Sequence, residues 1–141
     1  MIKTFEEYIE EGIVIKQSPD YSRARALSIE AEEAYETLNE FLEKIGITVK
    51  NANNVIKNTY DIIMELIRSK MFTQGYNSSE KGAHEAEVSY LGKIGCSTTE
   101  IDFADKLRWF RNGILYYGKK YDKQYAEKTV HFLKKIYSKL K

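Results

Sequence analysis

The chain is 141 residues long, which predicts one domain spanning residues 1–141, and its 22 basic residues nearly cancel its 21 acidic ones. This balance excludes a global electrostatic attraction to nucleic acid or to a membrane, so an anion site must come from a local patch. A single cysteine, Cys96, excludes an internal disulfide and favours a reducing compartment. No apolar run approaches the ~20 residues of a membrane span. We therefore expect a cytoplasmic protein without membrane contact.

The first part of the chain predicts a short helix and then a long one. Thr4 and Glu7 have the spacing of a capping box, which predicts a short helix to about Glu11. Residues 12–15 are too short and isolated an apolar run to predict a strand. Pro19 is placed to begin the first long helix, and Gly46 to end it. Its apolar positions alternate at spacings of four and three: Ala24, Leu27, Ala31, Ala34, Leu38, Phe41 and Ile45.

A second long helix is predicted after the short connection at Gly46. Thr48 is its expected cap, and its apolar stripe runs to about Phe72 through Ala52, Val55, Ile56, Tyr60, Ile63, Leu66, Ile67 and Met71. Two long helices joined by so few residues lie antiparallel, which predicts a helical hairpin. Residues 75–79 are predicted to form a loop.

The rest of the chain predicts three further helices. A short one is expected from about Ser79 to Leu91. Ser97 and Glu100 form a second capping box that begins the third long helix, residues 100–117, and Gly118 is its expected end. A last helix is expected over residues 122–140. The prediction is an all-α fold, an up-and-down bundle of four long helices plus short accessory helices.

The motif inventory excludes several kinds of site. The sequence lacks CxxC, HExxH and calcium-loop motifs, and its two histidines, His84 and His131, are far apart. It also lacks a P-loop and a GxGxxG motif. We therefore expect no metal and no cofactor.

The densest group of polar and aromatic residues lies in the third long helix. Leu107, Phe110, Ile114 and Tyr117 recur at spacings of three and four and predict its buried face. If a second copy of this helix crossed the first, arginines could hold phosphates in a shared cleft and tyrosines could stack on bases. The alternative is that Arg111 pairs with Asp105 or a glutamate and the tyrosines only pack. The candidate nucleotide- or RNA-binding residues are Arg108, Arg111, Asn112, Tyr116 and Tyr117.

These residues resemble the HEPN family, helical bundles built around an Arg-x(4–6)-His motif near the end of a late helix. Arg111 and the asparagine that follows it match the motif, with Tyr116 at the matching spacing. The resemblance covers roughly residues 18–137. It also rests on two earlier segments: Phe72, Thr73, Gln74, Gly75, Tyr76, Ser78, Ser79 and His84, and Asp102, Phe103, Ala104 and Asp105.

The chain departs from the family pattern at the motif histidine. In family ribonucleases, the resemblance implies, arginine and histidine from two subunits cleave RNA without a metal. Tyr116 stands in the histidine position, and a tyrosine, with a pKa of ~10, is a poor general base near neutral pH. Arg111 and Tyr116 are the catalytic candidates, and His84 has no assigned role. The resemblance also implies a homodimer and a possible nucleotidyltransferase partner protein.

Three functions remain open from the sequence. The preferred one is a homodimeric HEPN-like protein whose Arg-Asn-x3-Tyr cleft binds nucleotide or RNA with little or no catalysis. The second is a metal-independent ribonuclease, the toxin of a HEPN/nucleotidyltransferase toxin–antitoxin pair. The third is a purely structural or interaction bundle in which Arg111 is an ion-pair residue.

Overall fold

The computed structural model describes residues 2–79 and 81–141, and the all-α prediction is confirmed. In this part of the chain no helix is long and apolar enough to cross a membrane. A 3₁₀ helix, Tyr90–Ile94, follows α4. The described elements are α1 (Phe5–Glu10), β1 (Val14–Lys16), α2 (Tyr21–Lys44), α3 (Ala52–Thr73), β2 (Tyr76–Ser78), α4 (Ala83–Ser89), α5 (Thr98–Tyr117) and α6 (Lys123–Leu140).

Helices α2 and α3 form the predicted antiparallel hairpin. The Asp20 amide donates to the Phe72 carbonyl at 3.0 Å, which joins the start of α2 to the end of α3. At the other end, Asn51 Nδ2 donates to the Gly46 carbonyl at 3.0 Å. The hairpin is therefore closed at both ends by hydrogen bonds.

Asn53 fixes the directions of α5 and α6. Its Nδ2 donates to the Lys119 carbonyl at 2.9 Å, and its Oδ1 accepts from the Tyr121 amide at 3.0 Å. The link between α5 and α6 therefore lies at the start of α3, so α5 runs antiparallel to α3 and α6 parallel to it. Consecutive long helices alternate in direction, as expected for an up-and-down bundle.

Helix α3 lies at the centre of the core. Its described side chains that are almost fully buried include Val55, Ile56, Tyr60, Ile62, Ile63, Met64, Leu66, Ile67 and Met71. Each large aliphatic side chain contributes about 1.5–3 kcal/mol when it leaves water. This buried helix carries Tyr60, which becomes important at the candidate site.

Both capping boxes are confirmed. Thr4 Oγ1 accepts from the Glu7 amide, and Ser97 Oγ from the Glu100 amide. The glutamate of each pair accepts in return from the cap amide. Gly118 ends α5 with a φ of 63°, a left-handed conformation that glycine adopts without a steric penalty.

Two other predicted helix starts are wrong by a few residues. Asp20 is the cap of α2, because its carboxylate accepts from the Arg23 amide, and Pro19 lies before it. Thr48 Oγ1 accepts from the Asn51 amide and so caps the turn that precedes α3. That helix begins only at Ala52. In each case a neighbouring polar side chain determines the boundary.

The predicted absence of a strand near residues 12–15, and the predicted loop at 75–79, are also wrong. Strands β1 and β2 pair antiparallel, with Val14 opposite Ser78 and Lys16 opposite Tyr76. Three-residue strands are too short to show an alternating pattern, and their pairing depends on residues far apart in the chain, 64 positions for Val14 and Ser78.

The short helix that carries His84 begins later than predicted. Gly82, with a φ of 93°, precedes α4, and the predicted start near Ser79 is wrong. Glu80, within the predicted span, lies outside the described residues. After Ser89 the chain continues as the 3₁₀ helix, so the predicted end at Leu91 falls inside a continuous helical segment.

Candidate functional site

Arg111 crosses from α5 to the face of α3. Its guanidinium carbon lies 5.4 Å from the centre of the Tyr60 ring, and its Nη2 lies 3.4 Å from Asp61 Oδ1. The side chain is 20% exposed, so most of it is out of water while its end remains accessible. Among the described residues the partner is Asp61, and neither Asp105 nor a glutamate pairs with Arg111, so the partners that the sequence suggested for a structural arginine are wrong.

The guanidinium of Arg111 is incompletely paired. Its Nε is buried and has no hydrogen-bond partner among the described residues. A buried donor without an acceptor costs about 1–3 kcal/mol. The contact with the half-exposed Asp61 carboxylate is long for a charge-assisted hydrogen bond. The donor capacity that an added acceptor would satisfy therefore lies at the end of the guanidinium, where Nη2 alone has a hydrogen bond to a described residue, and not at the buried Nε.

Arg108 differs from Arg111 because its donors are already engaged. Its Nε and Nη2 lie 3.0 and 2.9 Å from Asp105 Oδ1, and its Nη1 lies 3.9 Å from Glu85 Oε1. The residue is buried. It links α5 to α4, and its positive charge is largely neutralised by these two carboxylates.

His84 lies against the same tyrosine as Arg111. Its Nδ1 is 3.4 Å from the Tyr60 hydroxyl oxygen. Burial lowers the pKa of His84, and Arg68, Arg111 and Arg108 lower it further, while Glu87 acts in the opposite direction. The imidazole is therefore held mostly neutral at neutral pH, next to positive charge.

Arg68 adds a second guanidinium and is held by a buried carboxylate. Its Nε donates to Glu87 Oε1 at 3.1 Å, and Ser78 Oγ donates to Glu87 Oε2 at 3.0 Å. Glu87 is buried, whereas the Arg68 side chain is 31% exposed. Glu87 thus ties α3, α4 and β2 together and fixes the position of Arg68.

Helices α5 and α4 place Arg111 and His84 against the buried Tyr60 of α3, and Arg68 is near enough for its charge to lower the pKa of both Tyr60 and His84. We call this set, Tyr60, Arg68, His84 and Arg111, the Tyr60 cluster. Sequence reasoning had singled out Arg111, left His84 without a role, and missed Tyr60 and Arg68. Arg68 gave no distinct signal, because Glu65, Ser69 and Lys70 are also polar within residues 62–72.

The other predicted site residues lie elsewhere on α5. Tyr116 and Tyr117 are 71% and 78% exposed, and neither touches Arg111 through a hydrogen bond or ring contact among the described residues. Asn112 is half-buried. The predicted burial of Tyr117 is wrong, since this residue of the last turn of α5 is exposed, and Phe110 packs against Tyr121 with ring centres 4.8 Å apart.

The cluster has the chemistry of an anion site. Guanidinium groups present planar pairs of donors that match phosphate or carboxylate oxygens. Among residues 2–79 and 81–141, no group of three or more histidine, cysteine, aspartate or glutamate side chains has the arrangement of a metal site. Comparison with protein-family models, curated proteins and solved structures finds no match to this chain.

Proposed function

We propose that this protein is a homodimeric, HEPN-like bundle that binds a nucleotide or RNA through Arg111. The observation that carries the proposal is the incompletely paired Arg111 guanidinium, held over Tyr60 with its end open to solvent. A phosphate at this position would provide the acceptors that the side chain lacks.

The neighbouring residues support a phosphate ligand. Arg68 lies in the same cluster, and although its Nε pairs with Glu87, the side chain remains partly exposed and its Nη groups can donate to a ligand. The ring of Tyr60 holds the guanidinium of Arg111 against its face. Burial raises the pKa of the Tyr60 hydroxyl, so the hydroxyl stays protonated and uncharged. His84 gains a favourable anionic neighbour when it is protonated.

The exposed end of α5 supports a dimer and base contacts. Trp109, Leu115, Tyr116 and Tyr117 are all large, apolar and at least 45% exposed. Such a concentration of apolar surface on one helix is typical of an interface. In a homodimer through this face, tyrosines of one subunit would approach the ligand of the other, where their rings would stack on bases.

The test is a fluorescence-anisotropy titration of a labelled single-stranded RNA, with AMP and GMP as competitors. We expect Arg111→Ala to weaken binding by roughly tenfold or more, since a charge-assisted hydrogen bond contributes about 1.5–3 kcal/mol. Arg25→Ala is the matched control, because Arg25 is an exposed arginine on α2. Equal binding by wild type and Arg111→Ala, or binding by neither, would leave the structural or interaction bundle as the better account.

The oligomeric state is tested separately by light scattering coupled to size-exclusion chromatography. We expect a dimer for the wild type and a monomer after Tyr117→Glu, because the charge would be placed on the exposed apolar face of α5. A wild-type monomer at micromolar concentration would contradict the shared cleft.

A second candidate function, a metal-independent ribonuclease, is favoured by the position of His84. Tyr116 does not replace the motif histidine chemically, but α4 brings an imidazole to the tyrosine that also contacts Arg111. In the tautomer in which Nδ1 donates to Tyr60, Nε2 keeps a free lone pair and can accept a proton from an RNA 2′-hydroxyl. RNA cleavage that survives EDTA and is lost in His84→Ala would support this function.

The family resemblance also implies a partner protein, a small nucleotidyltransferase that would act as the antitoxin of a ribonuclease toxin. Expressing the chain alone and together with such a protein encoded beside it tests this part. Growth arrest that the second protein relieves would support a toxin–antitoxin pair, and absence of any effect on growth would count against it.

A further inference from the structure

A second concave surface lies on the face of the hairpin formed by α2 and α3. It is an open cavity of about 630 Å³ between the two helices, which we call the hairpin groove. Its floor is apolar, with Leu38, Val55 and Ile62 buried and Ala34 and Phe41 partly exposed. The apolar atoms that Ala34 and Phe41 expose at the bottom of the groove favour an occupant with apolar side chains.

The rim of the hairpin groove is acidic. It contains Glu30 and Glu33 from α2 and Asp61 and Glu65 from α3, and no lysine or arginine lines the groove. Within the described part of the chain, Asp61 is the only one of the four with an ion pair. Burial raises the pKa of Glu65, and the charges of Glu30 and Asp61 raise it further, against the effect of Arg68. Three of the four carboxylates, on Glu30, Glu33 and Glu65, therefore have no ion-pair partner among the described residues.

The length of the groove matches a short helix. Its lining extends from Glu30 to Phe41 on α2 and from Asn51, the residue before α3, to Glu65 on α3. At a rise of 1.5 Å per residue these spans are roughly 17–21 Å, the length of about three to four helical turns. The four carboxylates lie at one end, and neutral polar residues (Thr37, Asn51, Asn54 and Asn58) lie toward the other.

We propose that the hairpin groove binds an amphipathic helix of a partner protein, with apolar residues on one face and lysine or arginine along its edge. The apolar face would cover the floor, and the basic edge would pair with the acidic rim, in the helix-in-groove mode of recognition. The most basic helix of a second copy of this chain does not offer that surface. Its most basic helix, α6, buries its own apolar stripe, including Leu133 and Ile136, in the core.

Asp61 connects the hairpin groove to the Tyr60 cluster. It lines the groove and also lies 3.4 Å from Arg111 Nη2. A basic residue of the partner that pairs with Asp61 would compete with this contact. Docking in the groove itself does not depend on what Arg111 binds, so the two proposals can fail separately.

The probe is a synthetic 18-residue helix with leucine on one face and lysine on the others, labelled at its N-terminus. A peptide of the same pattern with glutamate in place of lysine is the charge control. Binding is measured by fluorescence anisotropy at physiological salt. We expect the lysine peptide to bind the full chain and the glutamate peptide to show at least tenfold weaker binding, roughly the effect of reversing the charge on the rim.

Variants of the full chain distinguish binding in the hairpin groove from a general attraction of the basic peptide to acidic residues. Glu33→Lys combined with Glu65→Gln should weaken binding by about tenfold or more, since both residues lie on the rim. Glu36→Lys combined with Glu43→Lys changes exposed residues of α2 outside the groove and should change binding by less than about threefold. Thr37→Trp fills the groove at an exposed position without a change of charge, and it should also abolish binding.

Three results would overturn the proposal. They are no binding of the lysine peptide, equal binding of both peptides, and equal effects of the groove and control variants. A thermal melt followed by circular dichroism confirms that each variant is folded, and Thr37→Trp keeps the test valid if the charge variants are destabilised.

Discussion

The guanidinium carbon of Arg111 lies 5.4 Å from the centre of the Tyr60 ring, and the Tyr60 hydroxyl lies 3.4 Å from His84 Nδ1. One buried tyrosine on α3 therefore places an arginine from α5 and a histidine from α4 on the same surface. The cation–π contact contributes about 0.5–2 kcal/mol, more where water is excluded. It holds the guanidinium in one orientation before any ligand arrives.

Arg111→Lys is expected to weaken RNA binding although it keeps the charge. An ammonium group cannot form the planar pair of donors, and it is held less firmly over the ring. We expect a loss of roughly three- to tenfold in affinity, measured by anisotropy, with a change in stability below about 1 kcal/mol. Affinity equal to that of the wild type would show that only the charge of Arg111 matters.

His84 is expected to titrate below the usual histidine range, because burial and the neighbouring arginines lower its pKa. The unfolded chain then binds a proton at His84 more readily than the folded one. The neutral, buried form of His84 therefore contributes stability that is present above a pH of about 6.5, and this stability is lost as the pH falls below that value. We expect the free energy of unfolding, measured with urea, to change less between pH 7.5 and pH 5.5 for His84→Gln than for the wild type.

A bound phosphate should reverse this shift. An anion next to His84 favours the protonated ring, so AMP should raise the pKa of His84. By the same linkage, the affinity of the protein for AMP should increase as the pH falls. Proton NMR of the two histidines measures this directly, and the signals of His131, on α6, should not respond to AMP. Identical titration of His84 with and without AMP would place the nucleotide elsewhere.

Glu87→Ala is expected to destabilise the fold. The buried carboxylate accepts from both Arg68 and Ser78, and its removal leaves two donors without their acceptor. We expect a loss of about 1–3 kcal/mol in the free energy of unfolding, limited by the partial exposure of Arg68. The exposed Glu10 on α1 is the control, and Glu10→Ala should change stability by less than about 0.5 kcal/mol.

Gly75→Ala tests the small sheet that the sequence did not predict. A Cβ at this position would lie 2.5 Å from the Gln17 carbonyl oxygen, and the backbone φ is +82°. Gly12→Ala is a matched control, because its φ is +77° and a Cβ there meets nothing within 4 Å. Both pay the left-handed penalty of about 1–2 kcal/mol, and Gly75→Ala should lose at least about 1 kcal/mol more because the two strands must move apart. Equal losses of stability in the two variants would show that the Gln17 carbonyl moves away from the added Cβ at little cost.

The long helices could be predicted because their signals are local. Periodic apolar residues, two complete capping boxes and glycine at the end of α5 each specify structure within a few residues. The strands could not, since Val14 and Ser78 pair across almost half of the chain. Helix starts were displaced where a nearby side chain, such as Asp20, formed the stronger cap.

The candidate site was only partly predictable for a related reason. Arg111 stood out in a dense local motif, but its partners lie on other helices. Tyr60 looked like one more residue of an apolar stripe, and His84 had no neighbour in sequence that suggested a role. Their association depends on how α3, α4 and α5 pack, which no local spacing records.

The most direct test of the central claim is the ¹⁵N-resolved Nε–H signal of Arg111 during titration with a short single-stranded RNA. The Arg111 signal should shift progressively and saturate, while that of the exposed Arg25 stays in place. This is the expected result if phosphate accepts from the Nη groups, because Nε belongs to the same delocalised guanidinium and its signal responds to their hydrogen bonds. Saturable binding of the RNA with an unchanged Arg111 signal, or no binding at all, would contradict the assignment of Arg111 as the phosphate-binding residue.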